Sequence, residues 1–234
     1  MERHGITRRE AVGAGLVSAA SVVLGRTVLA AETAAAGKPA AKKMKVEMPN
    51  NADFYDAAGK FLPDKARQAY YDMFQRFRFP NPKPQQELMW VQDFGLGDFV
   101  HAGMAGVFWI NDKENKYFGH DIYLLPGQQI PEHAHMKTPD ALPKMEAWHC
   151  RHGKIWCFGE GEETTPCPVK LPESQESCRT CKHCQQVLPG EVYALNRPEA
   201  FHFMIAGPEG AIVSEYATYH DGAGLRFSNP KAKL

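Results

Sequence analysis

The sequence predicts an all-β domain of the sandwich or jelly-roll type, preceded by one short helix. Three observations carry this expectation. From Leu88 onward the chain breaks into short apolar runs bounded by Gly, Pro, Asn and Asp: Leu88–Val91, Phe99–Ile110, Tyr117–Leu125, Glu146–Trp148, Lys154–Phe158, Val192–Leu195, Phe201–Ile205 and Ala211–Thr218. The pairs Pro126-Gly127, His152-Gly153 and Pro189-Gly190 read as turns between them. Helical periodicity is confined to one stretch, where Ala66, Ala69, Tyr70, Met73, Phe74 and Phe77 recur at three and four residues and form one apolar face. Many short strands packed into one domain favour two sheets or a rolled sheet over any α/β arrangement.

The elements follow in order. The helix spans Asp64 to Phe77, with Asp64 as its N-cap and Pro80, Pro82 and Pro84 ending it. Gly95-Leu96-Gly97 has no helical pattern behind it, so it reads as a plain turn and not a phosphate loop. The strands then run to the C-terminal region without an internal repeat.

The first residues stand apart from this domain. Thr7-Arg8-Arg9-Glu10-Ala11-Val12 places two arginines before a weakly apolar stretch, Val12 to Leu29, which ends in Ala30-Ala31. That pattern reads as a cleavable twin-arginine export signal over residues 1–31, implying the twin-arginine machinery as a partner and a periplasmic or exported location. Residues 32–60 read as a flexible linker, with Ala34 to Lys43 rich in Ala, Gly, Pro and Lys, and residues 61–234 as the folded domain. About 200 residues suffice for one domain with a proper core. With 27 basic and 27 acidic residues and no basic block after the leader, nothing points to nucleic acid. Self-association as a homodimer stays open.

Four residues carry metal-ligand chemistry: His133, His135, Glu146 and His202. His133 and His135 are two apart, so on a strand both imidazoles face one way. Glu146 enters from the next strand after the loop Thr138 to Pro143, and His202 follows a later turn and strand. Three neutral imidazoles and a carboxylate suit a borderline divalent ion, with coordination positions left for water or substrate. Six cysteines add a second theme. Cys178-x-x-Cys181-x-x-Cys184 fits a disulfide-stapled loop, then a second structural metal such as zinc, and least an iron–sulfur centre, whose usual further Cys and Pro downstream are missing.

The ordered set Gly127, His133-x-His135, Glu146 and Gly153, followed by Gly190-Glu191-Val192-Tyr193 through Pro198 and His202, resembles the paired motifs of the cupins. The resemblance implies a single cupin jelly-roll barrel with His133, His135, Glu146 and His202 as metal ligands. Within the cupins, the ten-residue spacer between His135 and Glu146 is similar to the D-lyxose isomerase family. So are Asp93-Phe94-Gly95-Leu96-Gly97-Asp98-Phe99, Gly207-Pro208-Glu209-Gly210-Ala211, Val213-Ser214-Glu215-Tyr216, Asp221 and Phe227-Ser228-Asn229-Pro230. The likeness covers about residues 85–230 and departs at the cysteine-bearing stretch Glu173 to Gln186 and again after Asp221.

This resemblance implies a metal-dependent aldose–ketose isomerase, with manganese the preferred ion and a free sugar such as lyxose or mannose as substrate. Glu215 is the expected base, Lys137 a second catalytic residue continuing the inward face of the His133 strand, and Asp221 a substrate-orienting group. Trp148 shares the inward parity of Glu146, whereas His149 and His152 do not read as ligands. Two alternatives remain: a cupin oxygenase using non-haem iron, and a non-enzymatic periplasmic module binding sugar or metal.

Overall fold

The computed structural model describes residues 49–234, so the twin-arginine leader and most of the linker lie outside the described residues. Two α-helices, α1 (Pro63–Phe77) and α2 (Lys83–Leu88), precede the strands. The strands are β1 (Trp90–Gln92), β2 (Met104–Asp112), β3 (Tyr117–Leu124), β4 (His133–His135), β5 (Glu146–Gly159), β6 (His183–Val187), β7 (Val192–Ala194), β8 (Phe203–Thr218) and β9 (Leu225–Phe227), with the single helical turn α3 (Glu173–Glu176) ahead of β6. The main sheet runs β1-β2-β3-β8-β5-β6 with β7 also on β5, and β4 pairs β9 as a two-stranded sheet. All of these pairings are antiparallel. This is the all-β cupin jelly roll.

The sheet is buried on both faces. Ile122 and Leu124 point into the barrel with Met104, Ile130 and Trp148. Their neighbours Tyr123 and Leu125 point the other way, joining Ala105, Val107 and Ile212 beneath Tyr70, Met73 and Phe74 of α1. Alternation along β3 thus feeds two cores from one strand. Burying each large apolar side chain of α1 contributes roughly 1.5–3 kcal/mol. The Tyr70 hydroxyl reaches through this layer and donates to Gln128 Oε1 at 2.6 Å. Gln128 in turn donates to the Phe99 carbonyl and accepts from the Leu125 amide, so the turn at Pro126-Gly127 is tied to the helix.

Several elements differ from the sequence expectation, each for a local reason. Asp64 is not the N-cap: Leu62 occupies that position without a side-chain bond, Pro63 opens the helix, and Asp64 lies in its first turn beside Arg67. The helix ends at Arg78, whose φ of 53° is left-handed, before any proline is reached. Pro84 instead helps to start α2, and β1 begins only at Trp90. Residues 49–60 are not linker. Phe54 is buried, Tyr55 bridges to Phe61, and Asn51 bonds Gly97 and Val100.

His152-Gly153 is not a turn between strands but an irregularity inside the continuous β5. Gly153 has φ +70°, and a Cβ there would stand 2.0 Å from the Gly210 carbonyl oxygen, so glycine is required twice over. The stretches around Phe201–Ile205 and Ala211–Thr218 likewise merge into β8. Finally, β6 restores the wall where the cysteine-bearing stretch departs from the family pattern, since Phe158 pairs Cys184 and Ile155 pairs Val187. Among the described residues no helix is long and apolar enough to cross a membrane.

Candidate metal and active site

The four ligand candidates meet at one end of the barrel. His133 and His135 lie on β4, Glu146 is the first residue of β5, and His202 directly precedes β8. A bridge between His133 and His202, with N–H···O distances of 3.0 and 2.9 Å in the two directions, draws the two motifs together. His135 Nε2 and His202 Nε2 each stand 3.1 Å from Glu146 Oε1. One ligand atom from each of the four residues lies within 4.8 Å of the others.

The tautomers are fixed by the backbone. His133 Nδ1 lies 2.9 Å from the Pro131 carbonyl and His202 Nδ1 the same distance from the Ala200 carbonyl. A carbonyl only accepts, so each Nδ1 carries the proton and each Nε2 presents its lone pair inward. Burial pushes His133 well down, helped by His202 and His135, and burial also lowers His135, so both imidazoles are neutral, the form that binds a cation. Burial alone would push Glu146 up, but Lys144, His135 and His202 together hold it well below the usual carboxylate range.

His135 Nε2, His202 Nε2 and Glu146 Oε1 are buried without a hydrogen-bond partner. Orphaned buried acceptors facing one another carry a desolvation cost that a shared divalent cation would offset. The residues therefore fit a three-histidine, one-carboxylate metal centre.

Behind this set lies a second group. Lys144, 5% exposed, donates to Glu146 Oε2 at 3.0 Å and also to Glu215 Oε1. Burial alone would lower this lysine, but Glu146 and Glu215 outweigh it and raise it, so it stays charged. Glu215 is buried on β8, opposite His120 of β3 and Trp148 of β5, and its Oε2 lies 3.0 Å from His120 Nδ1. His220 closes the same cavity, its ring 5.4 Å from that of His135. Phe108, Phe118, Trp148 and Phe227 wall it. Trp148 also stacks on Tyr193 at 5.8 Å, which makes it part of the packed wall. His149 turns outward beside Tyr216, and His152 packs against Phe77 and Phe79.

Three expectations are corrected here. Lys137 does not enter the cavity. Strand β4 stops at His135, the chain turns as the Met136 amide bonds Gly224, and Lys137 is exposed in a separate cleft with Lys116 and Tyr219. The inward lysine is Lys144, missed in the sequence although it precedes Glu146 by two and shares its face. Asp221 does not face the cavity either. Its carboxylate accepts from Thr138 Oγ1 at 2.7 Å and from the Ala223 amide at 3.1 Å, capping the turn Gly222–Gly224. These bonds lower its pKa.

Cys178, Cys181 and Cys184 are drawn into neither a disulfide nor a metal cluster: all six cysteines are free, and the group among the described residues whose geometry could hold a metal is the His133 set. Cys181 donates to the Phe201 carbonyl, Cys178 lies beside Ser177, and Cys184 is built into β6. A buried carboxylate, Glu132, holds this loop instead, accepting from the Thr180 and Cys181 amides and from the hydroxyls of Thr180 and Ser228. His120 and His220 also escaped the sequence reading. Parity along β3 with Ile122 could have found His120, whereas His220 lies beyond β8 in irregular chain and left no signal.

No family model matches the chain. Curated relatives do. The chain is 32% identical over 167 residues, 71% of its length, to D-lyxose/D-mannose isomerase of Thermosediminibacter oceani, covering 91% of that protein. It is 32% identical over 169 residues to D-lyxose ketol-isomerase of Cohnella laeviribosi, covering 72% of this chain and 91% of the relative. Among solved structures, the L-ribose isomerase of Cellulomonas parahominis with L-ribose superposes with a TM-score of 0.57 at 15% identity, covering 72% of this chain and 92% of that one. The Acinetobacter sp. DL28 L-ribose isomerase with L-ribose gives 0.56 at 14% identity, covering 72% and 92%. These two establish the likeness of fold.

Proposed function

This chain belongs to the D-lyxose ketol-isomerase family of sugar isomerases, and from that premise we propose that it interconverts a free aldose of the lyxose or mannose type and its ketose. The observation that carries the reading is Glu215. It is a buried carboxylate facing the metal-ligand set and joined to it through Lys144.

A bound divalent cation, with manganese the ion we favour, would polarise the carbonyl and neighbouring hydroxyl oxygens of the sugar and stabilise the charge that develops there. His133, His135, Glu146 and His202 would hold it. Glu215 takes the proton from C2 of the aldose and returns it to C1, while the O2 hydroxyl proton passes to the adjacent O1, so that the enediol between the two steps collapses to the ketose. Lys144 keeps a positive charge between Glu146 and Glu215 and has one remaining N–H for a sugar oxygen. The aromatic walls exclude water from the proton while it is in transit. Among the described residues Lys144 is the one Lys or Arg lining the cavity, and both of its carboxylate partners already claim it. Among the described residues a phosphorylated sugar would find no spare Lys or Arg beside it, which supports a free sugar as substrate.

The twin arginine at Arg8-Arg9 supports export in folded form, so that the ion enters before translocation. Fractionation of cells carrying the full chain, with an Arg8→Lys, Arg9→Lys control held in the cytoplasm, tests this. For the chemistry, manganese-loaded protein is expected to convert D-lyxose or D-mannose to ketose, and chelation to abolish it reversibly. Glu215→Gln should keep the metal and lower kcat by about 10²–10⁴-fold. Unchanged turnover in Glu215→Gln would remove the glutamate from the proposed role.

A further inference from the structure

The role given to Glu215 leaves one buried group beside it without a task. His120 stands on β3 directly opposite Glu215 and is 5% exposed. Its ring is confined on several sides. Trp90 stacks on it at 5.5 Å and 22°, Phe108 meets it edge-on at 4.7 Å, and Phe118 lies at 5.5 Å. Nδ1 is 3.0 Å from Glu215 Oε2. Nε2 is buried and has no partner.

The floor of this slot is Gly106, where a Cβ would come within 2.2 Å of His120 Nε2. Gly106 is not one of the positive-φ glycines, so it is the space it leaves, and not its backbone freedom, that the imidazole uses. A ring kept for packing alone would be better served by phenylalanine, because an unpaired buried nitrogen carries a desolvation cost. The arrangement is favourable when the bond from the other nitrogen outweighs that cost.

We infer that His120 is a positioning residue for Glu215: its Nδ1–H holds Oε2 so that Oε1 is presented to Lys144 and the metal-ligand set. A glutamate side chain on a strand has two staggered torsions and a broad terminal one through which to swing. Lys144 restrains one oxygen and His120 the other, so the carboxylate is held at two points. The carboxylate can only accept, which puts the shared proton on Nδ1. The titratable groups facing His120 are Glu215 from β8, Lys144 from the loop before β5 and His220 from the segment after β8. The inference rests on Glu215 being the proton carrier.

His120→Phe keeps a ring between Trp90 and Gly106 but removes the donor. His120→Asn keeps an N–H near the Nδ1 position and gives up the ring. Both are compared with wild type, loaded with manganese, on D-lyxose or D-mannose and on the same aldose deuterated at C2. His120→Phe is expected to lower kcat about 100-fold with KM within about twofold, with metal content and Tm near wild type. The primary isotope effect on kcat should rise as proton removal becomes the slow step, and His120→Asn should recover part of the rate. Turnover of His120→Phe within about twofold of wild type would overturn the inference and leave the isomerase reading standing. A loss of rate that comes with loss of metal, or that asparagine does not relieve, would also overturn it, since ring packing would then be what matters. Failure of wild type to isomerise any aldose would overturn both.

Discussion

Glu146 does two jobs at opposite ends of one carboxylate. Oε1 faces His135 and His202, and Oε2 accepts from Lys144. The candidate ligand set and the Lys144–Glu215 pair are therefore joined through one residue, and a change at either is felt at the other. His220 illustrates a second consequence of crowding at this site. Burial, with Lys144 and His135 nearby, pushes it down to about 3. An unfolded histidine titrates near ~6.5, so between those values the unfolded chain binds a proton that the folded chain does not, and stability falls as pH falls. From pH 7 to 5 this one residue is expected to remove about 2 kcal/mol. Urea unfolding of the metal-free protein at the two pH values, compared with His220→Phe, checks it: the variant should show the smaller loss. At this scale the sequence carried much of the site. Spacing and motif order singled out His133, His135, Glu146 and His202, which the structure brings together, and Glu215, which lines the same cavity. Lys137 and Asp221 misled because β4 ends at His135 and because a turn claims the Asp221 carboxylate.

Among the elements, the long strands β5 and β8 organise the molecule. Each reads in the sequence as two short strands, since Gly153 and the Gly207 to Gly210 stretch look like turns, yet the chain continues straight through them. A glycine at an irregularity inside a strand and a glycine in a turn share a composition, and only the partner strand tells them apart. The cysteine-bearing stretch shows the same limit. Thiols at regular spacing suggested a staple, whereas the loop is anchored by Glu132, which immediately precedes His133 and binds both Thr180–Cys181 and Ser228. Glu132→Ala would leave two amides and two hydroxyls without their acceptor. It is expected to destabilise the fold by about 3–5 kcal/mol, measured by chemical unfolding, and to loosen metal binding through the neighbouring histidine. Substituting serine for all of Cys178, Cys181 and Cys184 should leave the barrel metal content unchanged.

Across the whole molecule, the inside of the jelly roll carries the polar cavity and the apolar core side by side, Met104, Ile122, Ile130 and Trp148 belonging to both. Helix α1 covers the outer face of the sheet, so the inner face is free to carry His120, Glu215 and the ligands. The fold class was legible because strand alternation and glycine turns dominate the composition. Helix α2 and the packed segment before α1 were not, because both rest on contacts made far along the chain, such as those of Asn51 with Gly97 and Val100. In the proposed reaction Glu215 moves the C2 proton of an aldose beside a metal that His133, His135, Glu146 and His202 would hold. Proton NMR of manganese-loaded protein incubated with D-lyxose in heavy water, after removal of the ion for detection, tests it most directly. Ketose should accumulate with wild type, any solvent deuterium should appear at the transferred position, and both should be lost in Glu215→Gln with its metal retained. Ketose formation at the wild-type rate in Glu215→Gln, or no conversion of any aldose by metal-loaded wild type, would contradict it.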